Sequence, residues 1–226
     1  MPLSLLFPRL CAACNRVLHP WEESLCLGCL AKMPLTRFHL DPGNPLAQSF
    51  WGKVWIEQAS AWFYFLKGSR YQRVMHLLKY QNQPRIGIDL GKAYGYQLRH
   101  CVQYQTPDVI VPVPLHPRRQ RKRGYNQSEM IARGLAEAMQ VPVVAGNLVR
   151  SSKTSTQTRK SRYDRYLNVS GVFTVRETKK FENRHLLLVD DIVTTGATLE
   201  ACAETLLKTG GVKLSVAALG WARKMF

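Results

Sequence analysis

The stretch Leu187-Leu188-Val189-Asp190-Asp191-Ile192-Val193-Thr194-Thr195-Gly196-Ala197-Thr198 runs from aliphatic residues into two adjacent carboxylates and then into a turn rich in threonine. The aliphatic part suits a buried strand, and the residues after Gly196 suit a helix, so the segment reads as strand, turn, helix. In parallel α/β sheets ligands bind beyond the carboxyl ends of the strands. A turn at a helix N-terminus offers backbone N–H groups and the positive end of the helix dipole, both of which favour an anion. Gly196 lets the backbone approach closely, and the threonine hydroxyls add donors. The two acids alone would repel a phosphate. They fit a ligand that also carries vicinal hydroxyls or a divalent cation. Asp190, Asp191, Val193, Thr194, Thr195, Gly196, Ala197 and Thr198 are thus the candidate cradle for a phosphorylated ribose. If Asp190 merely capped the turn, one acid would suffice.

Working outward, 185–189 reads as a buried strand, 197–208 as a helix and 213–219 as a final strand. Upstream, 108–113 is a short apolar run that suits a buried strand, and 126–139 is a helix that Asn126 can cap, with Glu129 three residues on. Residues 141–144 and 171–175 read as further strands, and the aromatic run 59–65 as another, closed by Gly68. Helical spacing covers Tyr71 to Leu78, and 86–101 reads as a second helix weakened by Gly91 and Gly95. Strand and helix alternate with short connections, which predicts an α/β fold with a mostly parallel sheet flanked by helices.

Between the strand at 108–113 and the helix at 126–139 lies Arg118-Arg119-Gln120-Arg121-Lys122-Arg123, with five cations in six residues. Read as a basic loop at a strand end, it suits phosphate oxygens through the planar guanidinium fork. A solvated basic patch or a nucleic-acid contact is the competing reading. Residues 151–168 are polar and basic and read as a mobile loop able to fold over a polyanion.

The 187–198 stretch resembles the signature of type I phosphoribosyltransferases: four apolar residues, two acids and a Thr/Gly turn. Val111-Pro112-Val113-Pro114-Leu115, the basic run, Arg123-Gly124-Tyr125-Asn126-Gln127 and the segment from Arg150 to Gln157 resemble the ComF (GntX-like) family of competence-related proteins, over nearly the whole chain. The resemblance implies a zinc-bearing N-terminus joined to a type I phosphoribosyltransferase-like domain. It also implies a phosphoribosyl pyrophosphate ligand with magnesium, and a role in handling incoming single-stranded DNA alongside other DNA-uptake proteins. In that frame Asp190 and Asp191 are the catalytic candidates. Arg118, Arg119, Arg121, Lys122 and Arg123, with Lys153 and Arg165 from the 151–168 loop, are candidates for the pyrophosphate. No residues read as a base-binding hood. Trp62, Phe63 and Tyr64 could stack on a base, although a strand of aromatics more often belongs to the core.

Four of the six cysteines lie in the first 29 residues, as Cys11-x-x-Cys14 and Cys26-x-x-Cys29. Two such pairs can converge as four thiolates around a structural, tetrahedral zinc. Disulfides and a redox Cys-x-x-Cys are the alternatives, the first disfavoured in a reducing compartment. The turn cluster Asp41-Pro42-Gly43-Asn44-Pro45 marks a boundary, giving a metal module at 1–45 and a phosphoribosyltransferase-like domain at 46–226. Cys101, Cys202, His76, His100 and His185 read as packing or surface residues. The net charge of +17 favours anionic partners. No apolar run reaches the roughly 20 residues of a membrane span, and the N-terminus lacks the basic start of a signal peptide, so the cytoplasm is the expected location. The competing functional reading is a single-stranded nucleic-acid-binding module whose phosphoribosyl pocket is a sensor or a relic.

Overall fold

The computed structural model describes residues 8–104, 107–150 and 172–222. The 151–168 segment, with Lys153 and Arg165, lies outside the described residues.

Four strands make one sheet: β1 (Gln58–Tyr64), β2 (Val109–Pro112), β5 (His185–Val193) and β6 (Lys213–Trp221), in the order β1-β6-β5-β2. All three pairings are parallel. Between β2 and β5 the chain adds a small antiparallel pair, β3 (Leu148–Arg150) with β4 (Phe173–Val175). The helices are α1 (Leu27–Ala31), α2 (Pro45–Gln48), α3 (Arg70–Tyr80), α4 (Pro84–Arg99), α5 (Pro117–Arg123), α6 (Gln127–Met139) and α7 (Ala197–Leu207).

The sheet's side chains alternate between two cores, as the pleat requires. Ile110, Leu187, Val189, Ala217 and Leu219 pack on one face with α3, α4, α6 and the cysteine segment. Val109, Val111, Leu186, Leu188, Leu214 and Val216 pack on the other with α7. Leu187, Leu188 and Val189 are fully buried, as a strand covered on both sides demands.

Several local expectations change. Residues 118–123 form α5, a short helix: Pro117 stands at its first position, the His116 ring accepts from the Arg118 N–H at 3.2 Å, and Gly124 ends it at φ 82°. Residues 141–144 make only an isolated parallel bridge from Val143 to Ile110, because Pro142 has no N–H to extend a ladder. Leu148–Arg150 is a strand, although its partner lies beyond residues 151–171, so no turn signal announces the pairing. β5 continues through both acids to Val193 and does not stop at them. Asn126 caps α6 by accepting from the Ser128 N–H at 3.2 Å, but Glu129 pairs with Arg133 at 2.7 Å and closes no capping box.

The glycines of α4 have a packing role. A Cβ on Gly91 would stand 2.2 Å from the Ile131 carbonyl oxygen, and one on Gly134 would stand 1.9 Å from that of Ile88. The backbones of α4 and α6 therefore touch, at the cost of about 1 kcal/mol of helix propensity per glycine.

Candidate functional site

The connections leaving β2 and β5 go to opposite faces of the sheet: α6 follows β2 on one face, and α7 follows β5 on the other. Pairing of β2 with β5 ends at Pro112 and Val189, with a last bond from the Val113 N–H to the Val189 carbonyl at 2.8 Å. A crevice therefore opens at the carboxyl ends of these two strands, the usual ligand position in such sheets. Asp190 and Asp191 are the first residues of β5 beyond that point.

Asp190 is held by two donors, the Ser128 hydroxyl at 3.0 Å and the Asp191 N–H at 2.8 Å. Burial and the neighbouring Asp191 charge push its carboxyl up to about 7, against the lowering effect of those donors and of Lys79. Asp191 has a different partner. The Lys79 ammonium, from the last turn of α3, stands 2.9 Å from Oδ2 and 3.0 Å from Oδ1. Two adjacent carboxylates are hard oxygen donors, and magnesium uses one or two carboxylates together with waters and phosphate oxygens, so the donor set suits that ion.

After β5 the chain turns through Thr194, Thr195 and Gly196 into α7. Gly196 caps the helix at φ 78°, a left-handed conformation that a side chain disfavours. A small cavity of about 40 Å³ is lined by Asp190, Ile192 and residues 193–199. Thr194, Thr195, Ala197 and Thr198 are exposed at its mouth. The first-turn N–H groups of any helix lack intrahelical partners, so this cavity is bounded by donors. Val193 lines it, but its side chain is packed in the core.

On the other side of Lys79 lies a larger cleft of about 420 Å³, lined by Lys79, Tyr80, Asn82, Arg119, Lys122 and Arg123. The Arg123 guanidinium sits over the Tyr80 ring at 5.0 Å and donates to Gln127 Oε1 at 2.8 Å. The structure thus brings together three of the five cations of the basic run, while Lys153 and Arg165, the other two expected near a pyrophosphate, lie outside the described residues. Arg118 and Arg121 are exposed and do not line the cleft, since a helix spreads its side chains around its axis. Lys79 and Ser128 escaped the sequence reading: each reaches the acids from a helix far along the chain, and no local spacing marks either. Trp62 and Phe63 are buried in the core, which removes them as base-stacking surfaces.

The cysteine segment forms a second site. The ligand atoms of Cys11, Cys14, Cys26 and Cys29 all lie within 4.8 Å of one another, a group able to hold a metal ion. All six cysteines are free thiols. Cys14 and Cys26 Sγ are 3.8 Å apart, and four sulfurs bound tetrahedrally at 2.3 Å from one ion are about 3.8 Å apart. Burial raises the Cys11 thiol, but N–H groups of Cys26, Cys14 and Ala13 outweigh it and bring it down to about 7, while burial pushes Cys29 up to about 12. Arg70, at the start of α3, points Nη1 at Cys29 Sγ (3.7 Å), and the Tyr71 hydroxyl donates to the Cys29 carbonyl at 2.7 Å. Cys101 and Cys202 are buried away from this group. No described helix is long and apolar enough to cross a membrane.

Residues 79–224 match the family model of the phosphoribosyl transferase domain. The chain is 29% identical to competence protein F of Haemophilus influenzae, over 91% of this chain and 94% of that protein. It is also 29% identical to the DNA utilization protein YhgH of Escherichia coli K12, over 96% and 92%. Competence protein ComFC of Bacillus subtilis matches at 33% identity over 45% of this chain and 39% of that one. Among solved structures, an adenine phosphoribosyltransferase overlays 63% of this chain and 73% of that chain, with 18% identity and a TM-score of 0.42.

Proposed function

We propose, for a chain that belongs to the phosphoribosyl transferase domain family, that it binds phosphoribosyl pyrophosphate with magnesium and serves the use of DNA taken up by the cell. The observation that carries this reading is the shared crevice at the ends of β2 and β5. It sets the carboxylates of Asp190 and Asp191 between a turn at a helix N-terminus and a basic cleft. Residues 194–198 receive the 5-phosphate. Asp190 and Asp191 face the ribose hydroxyls and the cation, and Arg119, Lys122 and Arg123 meet the pyrophosphate. Magnesium, when bound, neutralises charge on the diphosphate. The two acids stabilise positive charge developing at the sugar carbon as pyrophosphate departs. Residues 1–45 form a module stapled by zinc on Cys11, Cys14, Cys26 and Cys29, and 46–226 form the phosphoribosyl-binding body. The link to DNA rests on the relatives' names, competence protein F and DNA utilization protein.

The test is calorimetric titration of zinc-loaded protein with phosphoribosyl pyrophosphate, with and without magnesium. Magnesium-dependent binding supports the reading, and no heat up to millimolar ligand sinks it.

A second reading has its own observation: Arg118 and Arg121 are exposed outside the cleft, and Trp51 and Trp55 are 65% and 75% exposed. Cations and accessible aromatics are what a single-stranded nucleic acid uses. Oligonucleotide affinity that falls steeply with salt and ignores changes at Asp190 and Asp191 would favour it.

A further inference from the structure

Lys79 stands at the junction of the two halves of the crevice. Its ammonium contacts both carboxylate oxygens of Asp191, at 2.9 and 3.0 Å, and its side chain also lines the basic cleft beside Arg119, Lys122 and Arg123. The pair is well shielded, with the lysine side chain 20% and the aspartate side chain 14% exposed. Asp191 is thereby neutralised before any ligand arrives, while Asp190 relies on neutral donors, Ser128 and a backbone N–H.

We propose that Lys79 is a specificity-determining residue: it holds Asp191 in the empty protein and turns to the diphosphate of an incoming sugar, so that the pocket prefers a diphosphate-bearing ribose 5-phosphate over ribose 5-phosphate itself. This rests on the phosphoribosyl reading given above and assigns the residue that reads the leaving group. The physical reason is charge balance. A ligand carrying a divalent cation brings two positive charges to the acids, and an ammonium within about 4 Å of them is then repelled. The lysine stem is flexible and its charge is a point charge, suited to such a swing. The anion that accepts it is the diphosphate in the adjoining cleft. A sugar that lacks the diphosphate puts no anion in the cleft, so Lys79 stays on Asp191 and its removal costs that ligand little. Its neighbours fix the destination: the Tyr80 ring lies under Arg123, and Asn82 closes the same wall.

The experiment compares wild type with Lys79→Met and Lys79→Arg, after thermal melts confirm that each is folded. Dissociation constants are measured by calorimetry for phosphoribosyl pyrophosphate, inorganic pyrophosphate and ribose 5-phosphate in magnesium, and for Mn²⁺ alone by its EPR signal. Lys79→Met is expected to weaken both diphosphate ligands about tenfold or more, an effect of one charge-assisted contact. Ribose 5-phosphate should change by less than about twofold and Mn²⁺ alone should bind more tightly, because Asp191 has lost its counter-ion. Lys79→Arg keeps the charge and should retain the preference. Equal losses for all three phosphate ligands, or Mn²⁺ affinity unchanged in Lys79→Met, overturn the assignment of Lys79 while leaving the pocket intact. If wild type binds none of the three ligands, the phosphoribosyl reading fails and this one with it.

Discussion

The cysteine cluster and the acid–threonine turn, the two sites proposed for charged species, are built in opposite ways. The cluster is made of side chains: four thiols drawn within 4.8 Å by two short knuckles, with Arg70 and the Tyr71 hydroxyl from α3 arranged around Cys29. The turn is made largely of backbone, with Gly196 held at φ 78° and the exposed first residues of α7 around a cavity of about 40 Å³. On the proposed reading an ion staples the cluster, whose segment packs one edge of the main core, whereas the turn rides on a sheet whose strands are already buried. Removing a ligand should therefore unfold the first and merely empty the second. One helix touches both: α3 places Arg70 and Tyr71 against Cys29 at its start and Lys79 against Asp191 at its end.

The largest effect tests that contrast directly. A Cys11→Ser, Cys26→Ser variant is expected to lose its bound metal and, with it, folding free energy on the order of 10 kcal/mol. Metal content by mass spectrometry and a circular-dichroism melt report both, and a metal-free variant that melts like wild type would break the comparison. Next, an Asp190→Asn, Asp191→Asn double variant should stay folded, with a melting temperature lowered by loss of the Lys79–Asp191 pair, and weaken magnesium-dependent binding of phosphoribosyl pyrophosphate by roughly a hundredfold or more, since the hard oxygen ligands are gone. Calorimetry beside a thermal melt separates the two, and normal binding would show the site to be misassigned.

Gly196→Ala should act on both properties modestly. A side chain at a left-handed φ costs about 1 kcal/mol, which for a chain of this size lowers the melting temperature by roughly 2–4 °C. A melting temperature equal to wild type would mean that the turn relaxes. The smallest effect concerns pH. The Asp190 carboxyl is raised from 3.8 to about 7 in the folded protein. Between those values the native state binds more protons than the unfolded one, so this group's contribution to stability is fully present below about 4 and is lost as pH rises through about 7. Asp190→Asn should flatten that slope in denaturant titrations of ligand-free protein between pH 5 and pH 8. A slope identical to wild type would place the titration elsewhere.

Much of this was legible along the chain. Leu187, Leu188 and Val189 announce a doubly covered strand because nothing polar interrupts them, and Cys11, Cys14, Cys26 and Cys29 announce their cluster because ligand spacing is local. Asn126 was readable as a cap for the same reason. The basic run misled: five cations in six residues look like a loop, but Pro117 and Gly124 frame a helix that turns Arg118 and Arg121 away from the cleft. Gly91 and Gly95 looked like weaknesses in a helix, because propensity is a property of one segment while close approach is a property of two. The aromatics of β1 offered a base platform only until the sheet buried Trp62 and Phe63.

The sequence by itself determined the main strands and helices around the site, the pair of acids beside a glycine turn and the four-cysteine ligand set, because each depends on residues close together in the chain. The tertiary structure alone decided which distant groups face those acids. Lys79 is 112 residues from Asp191, and Ser128 is 62 from Asp190. They meet because β2 and β5 send their helices to opposite faces of the sheet, and α3 and α6, packed on one face, bring their ends to the crevice that opens between the two strands.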